Sequence, residues 1–215
     1  MRIAYVVDVH NDFAAVTRTV GRIGIVDVLI VGGDITTKGS PDDVERAVKD
    51  WRPLTARLLA VAGNMDSAAI DARLANLGVS LDACGVVIRD VGFFGVSAGP
   101  KSPLCTPYEI TEEQIADRIE PGFAAVKGCR VKIFCPHSPP ANTACDRIHI
   151  GLHVGSTAVR TFIERSQPDL VLCGHIHESR GEDRIGHSRI VNPGPITQGH
   201  YAIVEISETV TVRFD

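Results

Sequence analysis

The sequence predicts an α/β domain built from βαβ units, and three observations carry that prediction. Short apolar runs alternate with segments of helical spacing along the first half of the chain, the pattern of a parallel sheet with crossover helices. The 215 residues are 44% apolar and 22% charged, so general disorder is excluded and a substantial core is expected. No linker, repeat or low-complexity tract interrupts the chain, and the length fits one domain over residues 1–215.

The elements follow in order. Ile3 to Val7 reads as a strand, and residues 12–23 place Phe13, Val16, Val20 and Ile23 at helical spacing. Val28 to Val31 is the next strand. Ser40-Pro41-Asp42-Asp43 opens a helix, with a serine cap, proline at the first position and acids in the first turn. Leu58 to Ala62 is a third strand, and residues 67–77 are its helix. Asp90-Val91-Gly92 reads as a hairpin turn between two short strands within 86–96. Three prolines and a glycine make 97–108 a loop. Thr111-Glu112-Glu113-Gln114 is a capping box for a helix that Pro121 is expected to end or kink. Val131 to Cys135 is a buried strand. Residues 138–155 form a long loop of the kind that is usually functional. Ser156 caps a helix bearing Val159, Phe162 and Ile163, Leu170 to Cys173 is a strand, and 183–214 reads as several antiparallel strands. The sum is one mixed sheet, or two sheets packed face to face with helices outside.

Composition also narrows the function. No apolar run approaches the ~18 residues of a membrane span. The N-terminal run ends on Asp8 without a small-residue cleavage site, so no secretory leader is expected. A net charge of −4 argues against bulk nucleic-acid binding. Six cysteines without a C-x-x-C pair fit a reduced, cytoplasmic protein, with Cys135 and Cys173 as core residues.

Five apolar runs are each followed by metal-capable side chains. These are Asp8 and His10; Asp34 after Gly32-Gly33; Asn64 after Gly63; His137 after Pro136; and His175 and His177 after Gly174. In open α/β sheets the functional crevice lies beyond the carboxyl ends of the strands. Parallel strands would therefore bring two carboxylates, four imidazoles and one amide to a single rim. That is more than one ion needs and suits two ions sharing a carboxylate, with a donor set fit for Mn, Fe, Zn or Ni rather than calcium. Taken singly, an Asp-x-His, a Gly-Asp or a His-x-His is commoner as ordinary structure than as a site. Their placement after five separate runs is what points to function.

Asp8-Val9-His10, Gly33-Asp34, Gly63-Asn64, His137 and Gly174-His175-Ile176-His177, in this order, resemble the calcineurin-like metallophosphoesterases. The likeness runs from the first strand to Asn192-Pro193-Gly194, a tripeptide typical of the small members. The resemblance implies a four-layer α/β/β/α sandwich of two mixed β-sheets flanked by helices. It also implies Asp8, His10 and His177 on one metal, Asn64, His137 and His175 on the other, and Asp34 between them. The cofactors would be two divalent ions, manganese first, with Fe, Zn or Ni compatible. A hydroxide between the metals would attack phosphorus in line, so no Ser or Cys nucleophile is required.

One position departs from the family pattern. Many members have a histidine after Gly-Asn, thought to protonate the leaving group; this chain has Met65, which donates no proton. General acid catalysis contributes ~10²–10⁴-fold and matters most for poor leaving groups. The reading is therefore a phosphodiesterase rather than a monoesterase, with a phosphate-ester substrate, no membrane partner and no clear nucleic-acid surface. The alternative is a metal-binding interaction scaffold of the same fold. His149 and His153 in the long loop are weak candidates for a replacement acid, Arg180 for a clamp on a substrate oxygen, and Gly155-Ser156 for a phosphate cradle. Asp66 is expected to cap the 67–77 helix, and Asp12 to cap the first helix or orient His10. A homo-oligomer through the C-terminal edge stays open.

Overall fold

Along the first strand, Ile3 and Tyr5 point to one side and Ala4 and Val6 to the other, and all four are fully buried. A strand covered on both faces must lie between two layers, and this requirement sets the architecture. The computed structural model describes residues 1–214. The chain runs β1 (Arg2–Val6), α1 (Phe13–Ile23), β2 (Val26–Val31), α2 (Pro41–Trp51), β3 (Thr55–Ala60), α3 (Ala68–Asn76), β4 (Gly85–Ile88) and β5 (Val91–Val96). It continues through β6 (Gly99–Pro100), β7 (Glu109–Ile110), α4 (Glu112–Val126), β8 (Val131–Pro136), α5 (Thr157–Ser166) and β9 (Leu170–Leu172). It ends with β10 (Gly181–Ile185), β11 (Ser188–Asn192), β12 (Ala202–Ile206) and β13 (Val210–Phe214).

Two mixed sheets result. One has the order β13-β12-β1-β2-β3, the other β10-β11-β9-β8-β5-β4, and β6 and β7 form a separate short pair. Strands β1, β2 and β3 are mutually parallel, as are β5, β8, β9 and β11. Ile3, Tyr5, Ile30 and Leu59 meet Phe93, Ile133, Leu170 and Leu172 in the core between the sheets. The opposite faces carry the helices. Phe94 of β5 stacks on Phe134 of β8 and meets Phe123 of α4 and Phe162 of α5 edge-on or tilted. Trp51 is buried at the end of α2 and donates to the Phe13 carbonyl of α1.

Two local readings need correction. The hairpin turn lies at Arg89-Asp90, not Asp90-Val91-Gly92, because Val91 and Gly92 already pair with Ile88 and Val87. Arg89 takes the left-handed conformation there (φ 58°). Helix α4 continues through Pro121. The proline sits on the exposed face, where its ring is accommodated towards solvent, while Gly122 packs so tightly that a Cβ would lie 2.8 Å from the Cys84 carbonyl oxygen. The C-terminal strands form two antiparallel hairpins, but these join different sheets, and β11 enters its sheet parallel to β9.

Candidate metal centre

The five predicted rim segments meet at the carboxyl ends of β1, β2, β3, β8 and β9. Backbone bonds stitch them together: Asp8 N–H to Gly33 O (3.1 Å), His10 N–H to Asp34 O (2.8 Å) and Gly174 N–H to His137 O (2.9 Å). Two groups emerge whose ligating atoms lie within 4.8 Å of one another, Asp8–His10–His177 and Asp34–His137–His175. Asp34 faces both. Its Oδ1 is 3.4 Å from His137 Nε2, and its Oδ2 is 3.8 Å from His10 Nε2. Asn64 joins the second group with Oδ1 3.0 Å from His137 Nε2. In the first group, His10 Nε2 lies 3.2 Å from His177 Nε2, and His177 Nε2 lies 3.6 Å from Asp8 Oδ2.

The ring orientations are fixed from behind. His137 Nδ1 donates to the Gly32 carbonyl (2.9 Å), which leaves Nε2 for Asp34 and Asn64. His10 Nδ1 meets Thr37 Oγ1 at 2.7 Å, which leaves its Nε2 for the rim. Asn192 is fully buried and donates to the Ile176 carbonyl (2.9 Å), holding the turn between His175 and His177. Thr37 had no motif to announce it, since its position follows only from the path of the loop after β2.

The backbone at the site is strained. Asp8, His10, Asp34 and His175 all have left-handed φ, at 56°, 45°, 46° and 68°. Such residues cost on the order of 1–3 kcal/mol each and persist where surrounding bonds over-determine them. The glycines beside these residues have a separate part. Gly63 and Gly174 do not take positive φ, and the left-handed step after Gly174 is made by His175 itself, so these two glycines serve close approach instead. A Cβ on Gly63 would sit 2.1 Å from Asp34 Oδ1, and one on Gly174 2.2 Å from Val7 Cγ2. Among the glycines of the rim, Gly33 combines a positive φ (103°) with such an approach, 2.5 Å from His137 Nδ1.

Asp66 does not cap α3; Ser67 does, accepting from Ile70 N–H. The Asp66 carboxylate is buried and accepts from Gly63 N–H, Ile35 N–H, Thr36 N–H and the Thr36 hydroxyl at 2.8–3.0 Å. It thereby locks the Asn64 segment to the Asp34 segment. Burial, reinforced by the charge of Asp34, pushes its pKa up to about 6.

Charge is unevenly spread over the cluster. Burial alone would depress His137, but Asp34 and Asp8 outweigh it and raise its pKa to about 9. Burial and the charge of His137 push His175 down to about 4. Burial opposes ionisation of Asp34, yet its pairing with His137 holds its pKa below the ordinary value. The hydrogen bond to Asp8 raises the pKa of His177 and burial lowers that of His10, so positive charge is spread unevenly over the four imidazoles beside the carboxylates, which suits a centre built to hold cations.

These elements have counterparts among known proteins. The calcineurin-like phosphoesterase family model matches residues 1–179. The chain belongs to the calcineurin-like phosphoesterase family. Its members are metal-dependent phosphoesterases, in keeping with the two donor clusters. The chain is 32% identical over 199 residues to protein MJ1162 of Methanocaldococcus jannaschii, covering 91% of this chain and 88% of that one. The fold matches TT1561 of Thermus thermophilus with a TM-score of 0.75 at 18% identity, over 99% of this chain and 97% of that one. It also matches a dimetal phosphatase from Danio rerio with a TM-score of 0.65 at 11% identity, over 100% and 95% of the two chains.

Within this calcineurin-like phosphoesterase, the remaining candidates are placed differently. Met65 is partly exposed beside the cluster, and its N–H donates to Asp34 Oδ1 at 2.7 Å. His153 is tied to Asp146 (Nδ1 to Oδ1, 2.6 Å), and His149 is exposed, with its N–H 3.4 Å from Glu178 Oε1. Arg180 gives its Nε to the Pro193 carbonyl and lies 5.3 Å over the Phe214 ring, so this part of the guanidinium is engaged by the C-terminal segment. Gly155-Ser156 is no free phosphate cradle, because Glu112 already accepts from Ser156 Oγ and from the Thr157 and Ala158 N–H groups. Asp12 caps α1 and pairs with Arg18. No described helix is long and apolar enough to cross a membrane.

Proposed function

We propose that this protein is a two-metal phosphoesterase that prefers phosphodiesters. The observation behind this reading is Asp34, whose two carboxylate oxygens each face a different histidine cluster. Asp8, His10 and His177 would hold one divalent cation; Asn64, His137 and His175 the other; and Asp34 would serve both. The donor chemistry fits: imidazole nitrogens crowd together, with His10 Nε2 3.2 Å from His177 Nε2, and carboxylates lie within reach of each set. Two bound cations lower the pKa of water and neutralise phosphoryl oxygens, with manganese the metal we would load first.

The protein's own work is orientation. Thr37 and the Gly32 carbonyl fix two rings, the Met65 N–H fixes one oxygen of Asp34, and Asp66 holds the two loops in register. The Met65 side chain supplies no proton to a leaving group. An ester whose leaving group departs without protonation suits such a site, which favours activated diesters over alkyl monoesters. The test is turnover of bis-(p-nitrophenyl) phosphate beside p-nitrophenyl phosphate, by protein stripped with chelator and reloaded with Mn, Ni or Zn. Metal-dependent turnover favouring the diester is expected. Two bound ions with no turnover of either would replace the enzyme with a metal-binding scaffold.

A further inference from the structure

Of the five strand ends that carry the donor clusters, one lies at a sheet edge. Strands β1, β2, β8 and β9 each have a neighbouring strand on both sides, whereas β3, which leads to Asn64, closes its sheet in the order β13-β12-β1-β2-β3. On its inner side β3 pairs with β2. On its outer side other segments take over, at every second residue. Ala60 N–H donates to the Val79 carbonyl (2.7 Å), and the Ala60 carbonyl accepts from Leu81 N–H (2.8 Å). Ala62 N–H donates to Ser97 Oγ (2.9 Å), and the Ala62 carbonyl accepts from Ala98 N–H (3.0 Å). The Asn64 carbonyl accepts from Tyr108 N–H (2.9 Å). The segment from Ser97 to Tyr108 thus supplies the hydrogen bonds that a neighbouring strand would give to residues 62–64.

That segment is itself held by a polar network. The Tyr108 hydroxyl donates to Asp71 Oδ2 of α3 and accepts from Arg118 Nη1 of α4, both at 2.8 Å. Ser97 Oγ donates to Asp71 Oδ1 (2.9 Å), so one carboxylate joins the two points at which the segment grips residues 62 and 64. Arg118 lies 3.6 Å from Asp71 and 3.2 Å from Asp82, which accepts from Ser97 N–H (2.7 Å). Tyr108, Ser97 and Asp71 are all buried. Buried ion pairs often add no more stability than apolar side chains of the same volume. What this network fixes is geometry, since the bonds of Ser97 and Tyr108 to the β3 strand end fall on Ala62 and Asn64. Gly99 brings the same segment against the side chain of Asn64: a Cβ there would lie 2.9 Å from Asn64 Cβ.

We propose that Tyr108 is a positioning residue for Asn64, with Asp71 and Arg118 holding its hydroxyl. The proposal rests on the two-cation reading of the site and names the residues that set one of its halves. Asn64 needs such support more than the other donors. Its amide oxygen is neutral and draws a cation less strongly than a carboxylate, so its contribution depends on being held where the ion will sit. Its Oδ1 lies 3.0 Å from His137 Nε2, and a shift of the strand end would move it away from that partner. Asp66 holds the Gly63 N–H from the Asp34 side, and Tyr108 holds the Asn64 carbonyl from the open edge.

The test is manganese binding to the full chain by calorimetry. Tyr108→Phe keeps the ring and the main-chain donor and removes only the hydroxyl. It should weaken one of two ions on the order of tenfold and leave the other unchanged. The same loss in a His177→Asn background assigns the weakened ion to the Asn64 cluster. Ser97→Ala, which loosens the grip at Ala62, should weaken the same ion. In the metal-free protein, amide exchange at residue 108 should quicken in Tyr108→Phe while the amides of β1 and β8 keep wild-type protection. At limiting manganese kcat/KM should fall, and at saturating manganese it should return close to the wild-type value, because Tyr108 places a ligand and touches no substrate. Val159→Ala, in the buried face of α5, should lower the melting temperature and leave both affinities unchanged, which separates positioning from general loss of stability. Unchanged affinities in both Tyr108→Phe and Ser97→Ala, or equal losses at the two ions, overturn the proposal and leave the two-cation reading intact. A wild-type chain that binds no second ion overturns the two-cation reading itself, and the proposal with it.

Discussion

The cluster around His137 and the cluster around His177 use the same chemical groups in different surroundings. His137 is fully buried, its Nδ1 is bound to a main-chain carbonyl, and Asn64 and Asp34 close on its Nε2. Asn64 and Asp34 are themselves almost fully buried. His10 and His177 are partly exposed, and the pinning of His10 comes from the Thr37 hydroxyl, a side chain free to rotate. One half is mostly enclosed and its central ring is set by a main-chain carbonyl, whereas the other joins the buried Asp8 to two part-exposed imidazoles. The inner half should therefore bind its cation more tightly, and the outer half should exchange with solvent and admit substrate.

The largest effect is expected where the halves join. Asp34→Asn removes the charge that serves both and should lower kcat by at least ~10³-fold, with the circular dichroism spectrum unchanged. Wild-type kcat in this variant, with metal content verified, would end the two-metal reading. His177→Asn tests the asymmetry itself. Under limiting manganese it should keep one ion per chain with nearly wild-type affinity while kcat/KM falls on the order of a hundredfold. Two ions of equal affinity in the wild type would remove the distinction between inner and outer halves.

Much of this arrangement was legible in the sequence. Apolar runs ending in Asp8, Asp34, Asn64, His137 and His175 revealed the strand ends, because buried parallel strands are continuous hydrophobic stretches. The caps at Ser40, Thr111 and Ser156 form as read, since capping is local. What escaped the sequence was non-local. Asp66 reads as a helix cap from its neighbours, and only the approach of residues 35 and 36 turns it into a clamp between loops. Pro121 reads as a breaker until its solvent-facing position on α4 is known. The left-handed φ at four site residues is likewise invisible, because tertiary bonds impose it.

Asp66 gives a smaller way to sharpen the comparison. In Asp66→Asn an amide N–H₂ must face backbone donors on one side, at a cost of roughly 1–3 kcal/mol. Because the clamp joins the Asn64 and Asp34 loops, the inner ion should be weakened ~10–100-fold and the outer one much less. Equal weakening of both, followed by metal titration, would show that the halves are not separately supported.

The smallest effect concerns stability with pH, behind the inner half. Ser97 Oγ accepts from Ala62 N–H, just ahead of Gly63-Asn64, and donates to Asp71, while Asp82 accepts from Ser97 N–H and Arg118. Burial, together with the charge of Asp71, raises Asp82 from an ordinary value of 3.8 to about 6. Between those values the folded chain holds a proton that the unfolded chain has released. This contribution to stability is therefore fully present below pH ~4 and is lost as pH rises towards ~6, at most on the order of 3 kcal/mol. Asp82→Asn should flatten that segment of the denaturation midpoint against pH, relative to wild type. Since Asn64 lies on the same loop, the variant should also reduce the pH dependence of inner-ion affinity while leaving the outer ion unmoved. A matching change at both ions would mean that the buttress supports the rim as a whole rather than its buried half.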